Sequence, residues 1–261
     1  MTVIKKLRHI ELTTITEITD IDTSTEQLFL DHNQIGTLPK NIDRLENLQI
    51  LDLSYNNLVK LPKSLGNLKE LLFLYASNLK ISELPDELCK LTNLIYLNVS
   101  SNQLSQLPEN IGHLHDLKEL RLYDNQLVNI PQSIGNLKQL KEIHIHNNQL
   151  KTIPTTIGGI TQLQKLILRN NAITHVPNQI GDLSNLQELD LRNNQLTLLP
   201  ETIGKLQELA YLDLRNNKLD TLPSSLLNLS NLQKLDLRWN NMTSPPSWIK
   251  PLRKRGCTVY W

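Results

Sequence analysis

Several features that mark common protein classes are scarce in this chain. Only two cysteines occur, Cys89 and Cys257. They are far apart and outside any metal-ligand spacing, so no disulfide framework is expected and a reducing compartment is the simpler setting. Neither sign of charge dominates: 27 Lys and Arg stand against 26 Asp and Glu, for a net charge of +1. That balance gives no electrostatic reason to expect a nucleic-acid partner or an anionic-membrane surface. No apolar stretch follows the N-terminal residues that is long enough for a signal peptide or a membrane span. The expectation is a chain without membrane insertion, cytoplasmic or translocated without an ordinary signal peptide. Ser-His-Asp and His-Glu-x-x-His patterns and Gly-rich phosphate loops are missing too, so neither catalysis nor a bound cofactor is expected.

What is present is a beat. Pro39, Pro62, Pro85, Pro108, Pro131, Pro154, Pro177, Pro200, Pro223 and Pro246 recur every 23 residues without a slip. Asparagines keep the same step at Asn33, Asn56, Asn102, Asn125, Asn148, Asn171, Asn194, Asn217 and Asn240. Around each lies L-x-x-L-x-L-x-x-N-x-L, clearest in Leu186, Leu189, Leu191, Asn194 and Leu196. Alternating leucines in L-x-L point to one face of a short strand and the residues between them to the other. Successive strands then lie side by side at ~4.8 Å in a parallel sheet, with the leucines stacked into a continuous core. The asparagine stands where the chain leaves the strand, and its amide can satisfy buried backbone groups there. Proline presets the backbone for a following helical turn. The glycines at 66, 112, 135, 158, 181 and 204 read either as relief of crowding or as an unusual backbone angle.

This pattern resembles the leucine-rich-repeat family over nearly the whole chain. The unit Leu-Pro-x-x-Ile-Gly-x-Leu is similar to the repeats of Scribble, Erbin, the Ras-suppressor protein, the plant intracellular Ras-group proteins and many bacterial repeat proteins. The resemblance implies an α/β repeat solenoid, an arc or horseshoe with a concave parallel sheet and short helical or 3-10 convex segments. It further implies a non-enzymatic adaptor or scaffold that binds a partner protein on its concave side. The alternative is a bacterial effector or surface-acting protein that engages a host protein. Residues 1–22 are expected to cap about ten repeats over 23–246, with 247–261 as a C-terminal cap, in one structural domain and a monomer. Only 15 residues follow Pro246, so no appended catalytic domain is expected.

The scaffold leaves strand-face positions free, and these fall into columns. Every Phe and Tyr except Tyr260 lies in them or on their rim: Phe29, Tyr55, Phe73, Tyr75, Tyr96, Tyr123 and Tyr211. Aromatics favour strands in any case, yet the inward strand positions carry almost none. With Ile50, the six in the first five repeats are expected to form an exposed patch of ~20 Å across adjacent strands, the candidate partner site. Farther on, Arg169, Arg192, Arg215 and Arg238 form one column beside Asp190, Asp213 and Asp236. This secondary polar surface reads either as a cross-strand charge network or as a docking site for acidic or phosphorylated groups. His144 and His146 share a strand face without an obvious third strong ligand, so no metal is expected. Cys257 reads as a small buried apolar residue, and Lys250, Arg253, Lys254 and Arg255 as a solvated face.

Two places are irregular. At the fourth strand Ala76 replaces a leucine and Leu79 takes the asparagine place, with Asn78 one position early. A local distortion of the turn is expected, through neutral drift or a reshaped surface. At the N-terminus His9 to Thr13 is expected to supply a capping strand, and Ile15, Ile18 and Ile21 leave its register open.

Overall fold

The computed structural model describes residues 2–15 and 21–261; Ile18 lies outside them. The chain divides into two compact units, residues 1–127 and 128–261. In the first, six three-residue strands run parallel in chain order: β1 (Ile4–Lys6), β2 (Gln27–Phe29), β3 (Ile50–Asp52), β4 (Phe73–Tyr75), β5 (Tyr96–Asn98) and β6 (Glu119–Arg121). The second holds β7 (Glu142–His144), β8 (Lys165–Ile167), β9 (Glu188–Asp190), β10 (Tyr211–Asp213), β11 (Lys234–Asp236) and β12 (Thr258–Tyr260), again parallel and in order. From β2 to β11 the middle residue of every strand is an apolar side chain sealed from solvent. Register between paired strands is 23 residues, and 24 for β11 with β12, so like positions become lateral neighbours.

The strands are short because the chain turns off the sheet three residues beyond each. Eleven residues spaced by 23, from His9 to Trp239, have φ between 52 and 60°. That left-handed region disfavours β-branched side chains, and the position holds His, Tyr, Asn, Ser, Asp or Trp and none of them. Next comes the asparagine. Asn56 Oδ1 accepts the Ile35 N–H at 2.9 Å, and its Nδ2 donates to Leu30 O and Leu53 O at 2.9 and 2.8 Å. Each carboxamide so ties its own turn to the preceding repeat, and Asn102, Asn125, Asn194 and Asn217 do the same.

On the other side the chain forms 3-10 turns such as Lys63–Asn67 and Glu201–Lys205. The proline lies just before the turn in extended backbone, and its carbonyl accepts the first bond, as in Leu65 N–H to Pro62 O at 3.1 Å. The glycines relieve crowding. A Cβ on Gly66 would stand 2.1 Å from Glu87 O, and one on Gly204 2.4 Å from Ser225 O. Cys89 and Cys257 are free thiols, both buried. Burial pushes the Cys89 thiol up to about 11, which leaves it unreactive at neutral pH.

Two sequence expectations need correction. The N-terminal strand is Ile4–Lys6, paired with β2 at the same 23-residue offset. His9 to Thr13 forms a turn instead: His9 has φ 54°, and the Ile10 and Leu12 N–H groups both donate to Asn33 Oδ1 at 3.1 Å. The segment is a partial repeat disguised by Lys5 at a leucine place and Ile10 at an asparagine place. The irregular repeat, for its part, is not distorted. Asn78 has φ 53° like its equivalents, β4 keeps register, and Leu79 is buried where the carboxamide would be. Asn78 is therefore the turn residue of its repeat, not a displaced ladder asparagine. At the far end α1 (Ile249–Lys254) buries Ile249 and Leu252, Gly256 turns with φ 93°, and β12 pairs with β11.

Candidate functional site

In the first unit, residues flanking the buried middle of each strand point to the open face. Parallel register puts Ile50, Phe73 and Tyr96 in one row and Asp52, Tyr75 and Asn98 in the next. The Tyr75 and Tyr96 rings meet at 4.9 Å between centroids, and Phe73 and Tyr96 at 6.4 Å, both pairs tilted. The Arg121 guanidinium lies 5.8 Å from the Tyr96 centroid while its Nε donates to Glu119 Oε1. Four of the seven expected anchors, Ile50, Phe73, Tyr75 and Tyr96, are thereby brought together. They are half-buried, not fully exposed as expected, because neighbouring rings on strands ~4.8 Å apart cover one another. Burial pushes the Tyr96 hydroxyl up to about 12 and raises that of Tyr75, with Asp52 adding to the second shift.

The remaining anchors lie elsewhere. Phe29 sits under the Arg8 guanidinium at 4.3 Å. Tyr55, half exposed at 50%, stacks on His32 at 4.3 Å on the rim. Tyr123 lies two residues beyond β6 and is half-buried. Between the aromatic rows and the rim, Ser54, Ser77 and Ser100 form a floor of small buried side chains, with Ser77 Oγ bonded to Ser54 Oγ at 3.2 Å.

The second unit presents a different face. Asp190 contacts Arg169 and Arg192, each at 3.5 Å. Asp213 contacts Arg192 at 3.8 Å and Arg215 at 2.6 Å. Asp236, fully buried, contacts Arg215 at 3.3 Å and Arg238 at 2.6 Å. Each aspartate thus stands between two arginines, the cross-strand network of the two sequence readings. Burial holds the Asp190 carboxyl above its usual range despite the arginines. Lys165 lies between Glu142 and Glu188 at 3.9 and 3.7 Å, and His144 Nε2 is 2.9 Å from Glu142 Oε2. Beside this row runs a shallow groove of about 520 Å³, lined by Gln164, Gln187, Ala210, Tyr211 and Gln233 among others.

One rim feature escaped sequence reading. Asn170 Nδ2 reaches Asn147 Oδ1, Asn193 reaches Asn170, and Asn216 reaches Asn193 at 3.0 Å, an exposed amide ladder. Its signal was the Asn-Asn pair at 147–148, 170–171, 193–194 and 216–217.

A stack of short parallel strands joined by asparagine turns and 3-10 segments defines the class of protein. Comparison with known families then settles the family. The profile described as leucine-rich repeat region matches residues 82–172 and 162–254, and a single leucine-rich repeat matches 47–68. The chain belongs to the leucine-rich-repeat family. No curated protein matches it. Among solved structures, a TDR receptor is 25% identical with a TM-score of 0.78, covering 92% of this chain and 48% of its own. InlJ from Listeria monocytogenes is 25% identical with a TM-score of 0.74, covering 85% and 46%. The Arabidopsis receptor kinase HAESA, solved with the peptide hormone IDA and a co-receptor, is 28% identical with a TM-score of 0.72, covering 92% and 38%. The chain spans about half the length of the first two. Such repeats serve as receptor and interaction modules, consistent with protein–protein interaction. Among the described residues no helix is long and apolar enough to cross a membrane.

Proposed function

We propose that this chain is a non-enzymatic adaptor or scaffold that docks a partner protein on the strand face of its first unit. The observation that carries this reading is the row Ile50, Phe73, Tyr96 with Tyr75 packed beside it. Rings already held by their neighbours lose little freedom on binding, which favours them as interface anchors. The serine floor gives a partner's chain room beside them. HAESA, solved with a peptide hormone, supports the reading for a similar stack of repeats. The second unit's face supports it by contrast, since its charges are largely occupied with one another.

The test compares three proteins as affinity baits in extract of the source cells: wild type, Tyr75→Ala/Tyr96→Ala, and Arg192→Ala. Because the rings are packed, the double variant should lose about 1–3 kcal/mol of stability while remaining folded by circular dichroism. Partners retained by wild type and Arg192→Ala should be absent from the double variant. Recovery of the same partners by all three baits would refute the assignment of the face.

A further inference from the structure

At the N-terminal end of the first unit lies a cluster that partner docking does not use. His9, Asp31 and His32 offer two imidazole nitrogens and one carboxylate oxygen, all within 4.8 Å of one another. The fold makes this cluster. His9 and His32 are successive left-handed rim residues, so their rings stack at 4.5 Å with a 27° tilt. Asp31 precedes His32 in the column beside them, buried, with Oδ2 3.0 Å from His32 Nδ1. Both imidazoles are exposed.

We propose that His9, Asp31 and His32 form a binding site for a divalent transition metal, zinc by ligand chemistry, which clips the N-terminal partial repeat to the first full one. Two imidazoles and a carboxylate suit zinc, with Zn–N and Zn–O bonds of about 2.0–2.2 Å and a fourth place for water. A tetrahedron with such bonds has edges of roughly 3.4 Å, so the exposed rings close around the ion by rotation. No local motif marks the cluster in the sequence, because it is the 23-residue repeat offset that brings His9 to His32.

The cation must share Asp31 with Arg8, and the structure provides for that. Arg8 Nε stands 2.5 Å from Asp31 Oδ1 as an ion pair, yet without the alignment of a hydrogen bond. Arg8 has a second carboxylate in reach, Asp52, at 3.8 Å. Before binding, Asp31, Asp52 and Arg8 sum to one negative charge; with the dication they sum to one positive. Ligands from both segments bind only when the turn is docked, so metal binding stabilises the docked state.

The experiment titrates zinc chloride into purified protein by calorimetry and follows the thermal midpoint. One equivalent should bind, and saturating zinc should raise the midpoint by several degrees. His9→Ala/His32→Ala should lose both effects. His113→Ala/His115→Ala, which removes another histidine pair with rings 6.1 Å apart, should keep them. Cobalt provides a readout independent of stability: its tetrahedral visible absorption should appear in wild type and vanish in the first variant. Absence of binding, or equal binding by His9→Ala/His32→Ala, would overturn the proposal.

Discussion

Replacing Asn194 by alanine isolates what the asparagine ladder contributes. Its Oδ1 accepts the Ile173 N–H at 3.0 Å, and Nδ2 donates to Leu168 O, Leu191 O and Arg192 O at 3.1, 2.9 and 3.3 Å. The carbonyls do not all lose cover, because Leu168 O also receives Asn171 and Leu191 O receives Asn217. Ile173 N–H is the exception: Asn194 is its acceptor, and Ile173 is fully buried. An orphaned buried donor costs about 1–3 kcal/mol, and the weakened carbonyl bonds add about 1 kcal/mol. The expected loss is therefore about 2–4 kcal/mol in equilibrium urea unfolding. Hydrogen exchange gives the specific signature, since the Ile173 amide should lose protection well beyond the global change. Leu79 supplies a natural comparison, since by the 21-residue offset of Asn56 to Ile35 and Asn102 to Ile81 its place is the one from which a carboxamide would cover the Leu58 N–H. That amide should exchange faster than its equivalents at Ile35 and Ile81, which Asn56 and Asn102 cover. A loss below about 0.5 kcal/mol with Ile173 still protected would mean that the side chain fills space and the bonds contribute nothing.

Four further substitutions have outcomes set by local packing and burial. Gly204→Ala drives a methyl to 2.4 Å from Ser225 O and should destabilise by about 1–3 kcal/mol in thermal melts. Gly36→Ala meets nothing within 4 Å and should be neutral or slightly stabilising. Asp52 has a folded pKa raised above 3.8, first by burial, so its contribution to stability is fullest below 3.8 and is lost as pH rises through the raised value. Asp52→Asn should therefore gain on wild type between pH 4 and 7 in urea titrations; a constant difference would refute the shift. In ultraviolet titration Tyr96 should ionise late, near 12, and Tyr96→Phe should remove that step.

The scaffold was legible because each of its rules is written many times, the proline ten and the asparagine nine. A leucine in the wrong place would break a core shared with both neighbours, so the 23-residue step shows through every repeat. Single-copy departures were harder to read. Lys5 and Ile10 hid the partial repeat at the N-terminus, although its strand keeps the common offset. Asn78 was misread because one residue type serves two adjacent places, the left-handed turn and the ladder. Exposure of the aromatic columns was misjudged for another reason. Alternation tells which face a side chain takes, but not how far its lateral neighbour covers it, and Tyr75 against Tyr96 is that case.

The same lateral offset explains why the two faces differ. Parallel in-register strands place equal residues ~4.8 Å apart, so a repeat copied faithfully stacks like charge on like charge. Arg169, Arg192, Arg215 and Arg238 would repel if left alone. Asp190, Asp213 and Asp236 stand in the adjacent column and convert the stack into alternating contacts between 2.6 and 3.8 Å. A phosphate or carboxylate from a partner must displace an aspartate that is already paired and partly desolvated, which leaves a buried charge behind. In the first unit the place of the arginines is taken by Ser54, Ser77 and Ser100, so the contacts of Arg8 with Asp31 and Asp52 are not continued along that column, and aromatic rings fill the rows alongside. There a partner need break no aspartate–arginine pair beside Tyr75 and Ser77, and for that reason we propose the docking face on the first unit.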